Sequence, residues 1–115
     1  MTALIDPALI EEIRRIERAT GRNDVLSGFV QKLEASLAGF GAAFSADVAR
    51  GDRAGAVRAA HTLKGTCRQL GAPALGDLFA EVEEAAKAGD FAAAQRKFEA
   101  GADLVAQSLQ ALKTA

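Results

Sequence analysis

The chain has a single histidine, His61, in the segment AAHTLKGTCRQLGA at residues 59–72. Successive residues of a helix are about 100° apart, so His61 lies opposite Leu63 of the apolar stripe and is expected to face water. Lys64 follows one turn on. Gly65, at i+4, leaves open the space over the imidazole that a side chain would otherwise cover. An exposed histidine with a lysine beside it and a cleared space above it suits a nucleophile that must meet a large partner.

The charged residues near this histidine in the sequence are all basic. Residues 53–76 carry four basic side chains and no acidic one, although the whole chain has a net charge of −1. Lys64 and Arg68 share the face of His61, and Arg58 flanks it. Nearby cations disfavour a charged imidazolium and would stabilise an anionic group placed on the ring. We therefore expect His61 to be a phosphoryl acceptor, with Arg68 as additional charge support.

The elements that position these residues are predicted to be helical throughout. Good helix formers dominate, and strand-type alternation is hard to find. Gly-Asp pairs at 51–52 and 89–90 separate segments whose apolar residues recur every three or four positions. Short linkers favour antiparallel neighbours, so we expect an all-α, antiparallel up-down four-helix bundle with a short N-terminal cap helix. The predicted helices span about 7–20, 24–50, 53–70, 73–88 and 91–112.

Composition narrows the class of protein. A chain of 115 residues that is half hydrophobic is expected to form one domain, 1–115, and one complete bundle favours a monomer. The slightly acidic charge argues against a nucleic-acid partner. No apolar stretch approaches the roughly 20 residues of a membrane span, and no signal peptide is recognisable. The lone Cys67 cannot form an internal disulfide, which favours a reducing compartment and a cytoplasmic location.

The sequence around the histidine also resembles a known family. The run HTLKG at 61–65, followed by Leu70-Gly71 and then by Leu75 and Leu78, is similar to the signature of the histidine-containing phosphotransfer (HPt) domain. The resemblance covers essentially the whole chain. It implies a carrier that takes a phosphoryl group from a sensor or hybrid kinase, or from a receiver-domain aspartate, and passes it to a response-regulator receiver domain.

The resemblance implies a role for each site residue. His61 would carry the phosphoryl group, Lys64 would steady it, and Gly65 would leave room for the active site of the partner. Glu83 and Glu84 fall where the family often has a polar or acidic residue on the neighbouring helix. A hydrogen bond between one of these carboxylates and His61 is one arrangement that the resemblance allows. Magnesium and the aspartate would belong to the receiver partner, so no cofactor is expected on this chain.

Two positions depart from the family pattern. Arg68 stands where a small residue is common, and if exposed it would crowd or charge the docking face. Cys67 also replaces a small residue; we expect it to serve packing, with redox sensing as the alternative. The docking rim is expected to come from the first two helices and the histidine helix. With one histidine and one cysteine, and no acidic residue near them in the helix, a metal site is not expected.

Other functions are weighed against the relay. The chain is too short for a nucleotide-binding domain, and the glycine-rich stretch at 38–44 lacks the ending of a phosphate-binding loop, so autonomous kinase activity is not expected. A phosphorylation-inert helical adaptor that binds receiver domains or another protein is the main alternative, and a generic bundle with a coincidental motif is the second. The start at Met1 favours a free-standing protein over a fragment of a hybrid kinase.

Overall fold

The computed structural model describes residues 2–115, and these form an all-helical fold without a strand. Met1, the first residue of the predicted domain, lies outside the described residues. No helix in the described part of the chain is long and apolar enough to cross a membrane. The six helices are α1 Pro7–Thr20, α2 Val25–Ala49, α3 Arg53–Gln69, α4 Pro73–Lys87, α5 Phe91–Ala100 and α6 Ala102–Lys113.

Aspartates and glycines set the helix boundaries. Asp52 accepts a hydrogen bond from the Gly55 amide at 2.9 Å, and Asp90 accepts one from the Ala93 amide at 3.0 Å. Each aspartate thereby satisfies an amide that has no partner within the first turn of its helix. The preceding Gly51 and Gly89 have φ values of 77° and 79°, a region that favours glycine. Both Gly-Asp pairs therefore end one helix and begin the next.

The C-terminal part differs from the prediction of one helix over 91–112. The structure has two helices, α5 and α6, because the chain is interrupted at Gly101. Gly101 has φ −88° and ψ 7°, and its amide donates to Phe98 rather than one residue further back. A Cβ at this position would lie 2.6 Å from Leu78 Cδ2. The close approach of α4 explains why glycine stands here, and the interruption leaves the apolar spacing intact.

The core lies between α2, α3, α4 and the C-terminal helices. α3 packs mainly against α4, while α2 lies against α3 and α5 against α4. Aromatic rings join α2, α4 and α5: the ring centroid of Phe40 lies 5.1 Å from that of Phe79 and 4.8 Å from that of Phe98. The rings hold α2, α4 and α5 together, and the direct packing of α3 against α4 fixes the relation between the histidine and residues on the next helix.

The first helix is held at its N-terminal end by the turn between α3 and α4, and near its C-terminal end by the start of α2. Asp6 donates its amide to the Gly71 carbonyl at 2.8 Å, in the turn between α3 and α4. At the other end of α1, the buried Glu17 accepts hydrogen bonds from the amides of Val25 and Leu26 at 3.0 and 3.2 Å. The carboxylate thus satisfies two amides at the start of α2. These contacts hold α1 against the turn that follows the histidine helix.

Candidate functional site

The site is built on the facing surfaces of α3 and α4. Leu63 and Cys67 of α3 point into the core. The opposite face of the helix, which carries His61, therefore faces outward. The His61 side chain is accordingly 65% exposed, as helix geometry predicts. The imidazole is therefore open to a macromolecule while its backbone is fixed in the middle of a helix.

A buried carboxylate holds the imidazole from below. Oε2 of Glu83, whose side chain is only 2% exposed, lies 2.8 Å from His61 Nδ1. An ionised carboxylate can only accept hydrogen bonds, so Nδ1 carries the proton in this contact. In the neutral ring, Nε2 then has the free lone pair. The geometry assigns the outer nitrogen of the ring as its nucleophilic atom.

Lys64 binds the same carboxylate. Its Nζ donates to Glu83 Oε1 at 2.5 Å, and Nζ of Lys87 lies 3.6 Å from Oε2. The hydrogen bond from Lys64 is the main reason that the pKa of Glu83 lies below its usual range. Desolvation raises this pKa, but the hydrogen bond from His61 and the charges of Lys64 and Lys87 lower it further. Glu83 is therefore an anion at neutral pH, and the histidine and two lysines converge on it.

This contact changes the charge pattern expected from the histidine helix alone. That helix offers only cations near the ring, whereas the structure places a carboxylate directly against it. The sequence left Glu83 and Glu84 open, and the structure separates them: Glu84 is exposed and lies 3.8 Å from Lys87. The signal that distinguishes Glu83 is its position on the buried stripe of α4, next to Val82 and one turn before Ala86.

Gly65 leaves open space above the site. An added Cβ at this position would meet no atom within 4 Å apart from its own helix and chain neighbours. Glycine is therefore not needed here for the packing of helices. Since a glycine inside a helix costs about 0.5–1 kcal/mol relative to alanine, its presence is better explained by something outside the fold. The space is open, and the need of a partner for this clearance stays a prediction.

The structure does not bring Arg68 to the histidine, which corrects the expectation of charge support there. Arg68 shares a face with His61 but lies two turns away, about 10 Å along the helix axis. Its side chain packs over Gly76 of α4, and Nη2 lies 3.4 Å from Asp77 Oδ1. Asp77 also accepts a hydrogen bond from Thr2 at 2.5 Å. The absence of a side chain at Gly76 gives the guanidinium a route away from the site.

Two surface depressions lie along α3, and His61 lines one of them. On one side a cleft of about 450 Å³ is bordered by Arg53, Arg58 and Lys87. On the other side a groove of about 430 Å³ runs between α2 and α3, and its lining is largely apolar, including Phe40 and Leu63. Thr66 and Ser36 join this groove to a further depression beside Phe29, whose side chain is 41% exposed. The histidine therefore borders the cleft with the basic side chains, and the apolar groove runs along another face of the same helix.

Cys67 takes no part in this surface. It is buried in the core, and burial raises the pKa of its thiol to about 12. A thiol of this kind is unreactive at neutral pH, which fits the predicted packing role. Within residues 2–115, no three or more His, Cys, Asp or Glu side chains form a group that could hold a metal ion.

A comparison with family models identifies the chain. The model described as Hpt domain matches residues 24–115, most of the sequence, from just before α2 to the C-terminal residue. The chain belongs to the Hpt domain family. Hpt domains act in histidine phosphotransfer within phosphorelays, as phosphocarrier modules rather than kinases, and they interact with receiver domains and histidine kinases. No curated protein and no solved structure gave a match. Helix α1 precedes the matched residues.

Proposed function

We propose that this Hpt protein is a relay carrier that accepts a phosphoryl group on Nε2 of His61. The donor is a histidine kinase or a receiver-domain aspartate, and the acceptor is a response-regulator receiver domain. The observation that carries the proposal is the contact between His61 Nδ1 and the buried Glu83 carboxylate. This contact fixes the tautomer that has its free lone pair on the exposed nitrogen.

The chemistry requires little from this chain. The Nε2 lone pair attacks phosphorus, the bond between phosphorus and the donor aspartate oxygen breaks, and the P–Nε2 bond forms. Positive charge develops on the ring during this step, and the Glu83 carboxylate stabilises it through Nδ1–H. Phosphoryl transfer depends mainly on alignment and charge neutralisation, so the Lys64 ammonium beside the ring supplies the second contribution.

The partner would contribute the remaining parts. We assign the aspartate and its magnesium ion to the receiver domain, and we expect no cofactor on this chain. The groove between α2 and α3 suits an apolar surface of that domain, because it runs along the histidine helix past Thr62 and continues to the exposed Phe29. Gly65, one turn after His61, leaves open space through which the active site of the partner can approach the ring.

The helix arrangement that supports this function is an antiparallel four-helix bundle. In this interpretation α2, α3 and α4 supply three members, and α5 with α6 forms the fourth, interrupted at Gly101. Helix α1 is the N-terminal cap, since it contacts the start of α2 and the turn between α3 and α4. A cytoplasmic monomer is the form in which we expect the carrier to act.

The test is phosphotransfer from receiver domains of the same organism, phosphorylated in the presence of Mg²⁺. Wild-type protein should acquire an acid-labile, alkali-stable phosphoryl label, and His61→Gln should acquire none while keeping the helical circular dichroism spectrum of the wild type. Label retained by His61→Gln would refute the assignment of the acceptor. Binding of receiver domains without any labelling would favour the phosphorylation-inert adaptor instead.

A further inference from the structure

The Glu83 carboxylate contacts two lysines as well as His61, although the hydrogen bond to His61 alone is enough to set the tautomer of the ring. Oε2 of Glu83 accepts the Nδ1 proton, and Oε1 accepts a short hydrogen bond from Lys64. Lys87, one turn further along α4, lies 3.6 Å from Oε2, and its side chain is 52% exposed. A glutamate four residues before a lysine is the favourable order for such a pair on a helix. The role of Lys87 is not explained by holding the ring.

Lys64 is needed in two places during the reaction. Before transfer its ammonium is bound to Glu83, while transfer requires positive charge beside the oxygens of the incoming phosphoryl group. If Lys64 were the only cation at Glu83, its movement would leave a carboxylate that is 2% exposed without a cationic partner until positive charge develops on the ring. Leaving a buried charge without its partner is strongly unfavourable. Lys64 would then remain on the carboxylate and contribute less to transfer.

We propose that Lys87 is a positioning residue that keeps Glu83 paired while Lys64 turns toward the phosphoryl group. This inference rests on the proposed function and adds a residue to it. Lys87 is suited to the role because it approaches Oε2, leaving Oε1 to Lys64. Its other acidic neighbour, Glu84, is exposed, and an exposed pair at 3.8 Å competes weakly.

A double-mutant cycle with a small phosphodonor tests the coupling. Phosphoramidate transfers its phosphoryl group when Nε2 attacks phosphorus, the P–N bond of the reagent breaks and ammonia leaves, so no protein partner is needed. The rates of labelling at His61 are measured by mass spectrometry for wild type, Lys87→Gln, Lys64→Ala and the double variant. Lys87→Arg tests rescue by charge, and Lys97→Gln on α5 makes the same charge change at an exposed position elsewhere.

Coupling through Lys64 gives a definite pattern. Lys87→Gln should slow labelling about fivefold when Lys64 is present and leave it unchanged in the Lys64→Ala background. Lys87→Arg should restore the rate, and Lys97→Gln should have no effect. Equal slowing in both backgrounds would show that Lys87 merely attracts the anionic reagent, and this outcome would overturn the inference. So would a wild-type rate in Lys87→Gln.

The same experiment separates this inference from the proposed function. Labelling that requires His61 but is insensitive to Lys87 refutes the positioning role alone. Failure of the wild type to be labelled at His61 refutes the acceptor assignment, and the positioning role falls with it. Circular dichroism of each variant shows whether a slow rate reflects loss of folded protein.

Discussion

Replacement of Gly65 should separate stability from function. A side chain at this position meets open space, so Gly65→Ala should gain helix propensity without a packing penalty. The expected gain in the free energy of unfolding is about 0.5–1 kcal/mol, the usual advantage of alanine over glycine within a helix. For a chain of this size the melting temperature should rise by about 2–5 °C. Thermal unfolding followed by circular dichroism measures the change.

The same position should block the partner. A helical side chain leans toward the N-terminus, so Gly65→Gln would extend over the ring of His61, one turn earlier. In-line transfer needs the reacting atoms within about 3–3.5 Å, and a misplacement of about 1 Å can cost a hundredfold in rate. We therefore expect transfer from a phosphorylated receiver domain to slow by at least about tenfold in Gly65→Gln, with a smaller loss in Gly65→Ala.

Two controls make the result specific. Phosphoramidate is small enough to reach Nε2 beside an added side chain, so its labelling of Gly65→Gln should stay within about twofold of the wild type. Gly28→Ala, at a second helical glycine with open space, should gain stability and keep full transfer from the receiver domain. Wild-type transfer by Gly65→Gln, or an equal loss with phosphoramidate, would refute the steric explanation.

Two further predictions concern stability. Hydrogen bonds from Arg14 and from the Leu26 amide lower the pKa of Glu17, so its stabilisation should be full above the ordinary glutamate value of about 4.3 and fade as pH falls through its lower folded value. Urea unfolding should thus show Glu17→Gln less stable than wild type at pH 7, with the gap narrowing below about pH 4; a constant gap would contradict this. Gly101→Ala should lose about 1–3 kcal/mol, because its Cβ would overlap Leu78, and an unchanged melting temperature would refute that packing.

The sequence predicted the first four helices with ends that differ from the structure by at most one residue. Their boundaries carry local signals, such as Asp52 and Asp90 as caps and glycines at the ends. The interruption at Gly101 carried no such signal, because the apolar spacing of Phe98 and Val105 continues through it. Its cause is the approach of another helix, which is a tertiary contact and is not encoded in the local pattern.

The placement of side chains was predicted correctly where it depended on one helix and incompletely where it depended on two. The exposure of His61 follows from the helical period, and the structure agrees with it. The partner of Arg68 and the carboxylate under the ring belong to α4. The charges along α3 alone predict additional cationic support from Arg68. They do not show the anion that Glu83 of α4 places against the ring.

The missing contacts nevertheless follow a rule that the sequence contains. Several contacts between α3 and the chain after it are centred at or near Ala72, in the short turn that joins α3 to α4. His61 and Glu83 lie at equal separations on either side of it, and so do Arg68 and Gly76. The pair of Arg53 and Phe91, with the guanidinium 5.4 Å from the ring centroid, obeys the same symmetry.

The physical reason is that two antiparallel helices rise equally from a tight turn, so residues equidistant from the turn reach the same level. Once the break at Gly71-Ala72-Pro73 is recognised, this rule points from the histidine to the turn of α4 that carries Glu83 and Glu84. The buried position of Glu83 on the apolar stripe of α4 then selects Glu83 over Glu84. Two weak signals from different levels of structure together identify the carboxylate that sets the tautomer of His61.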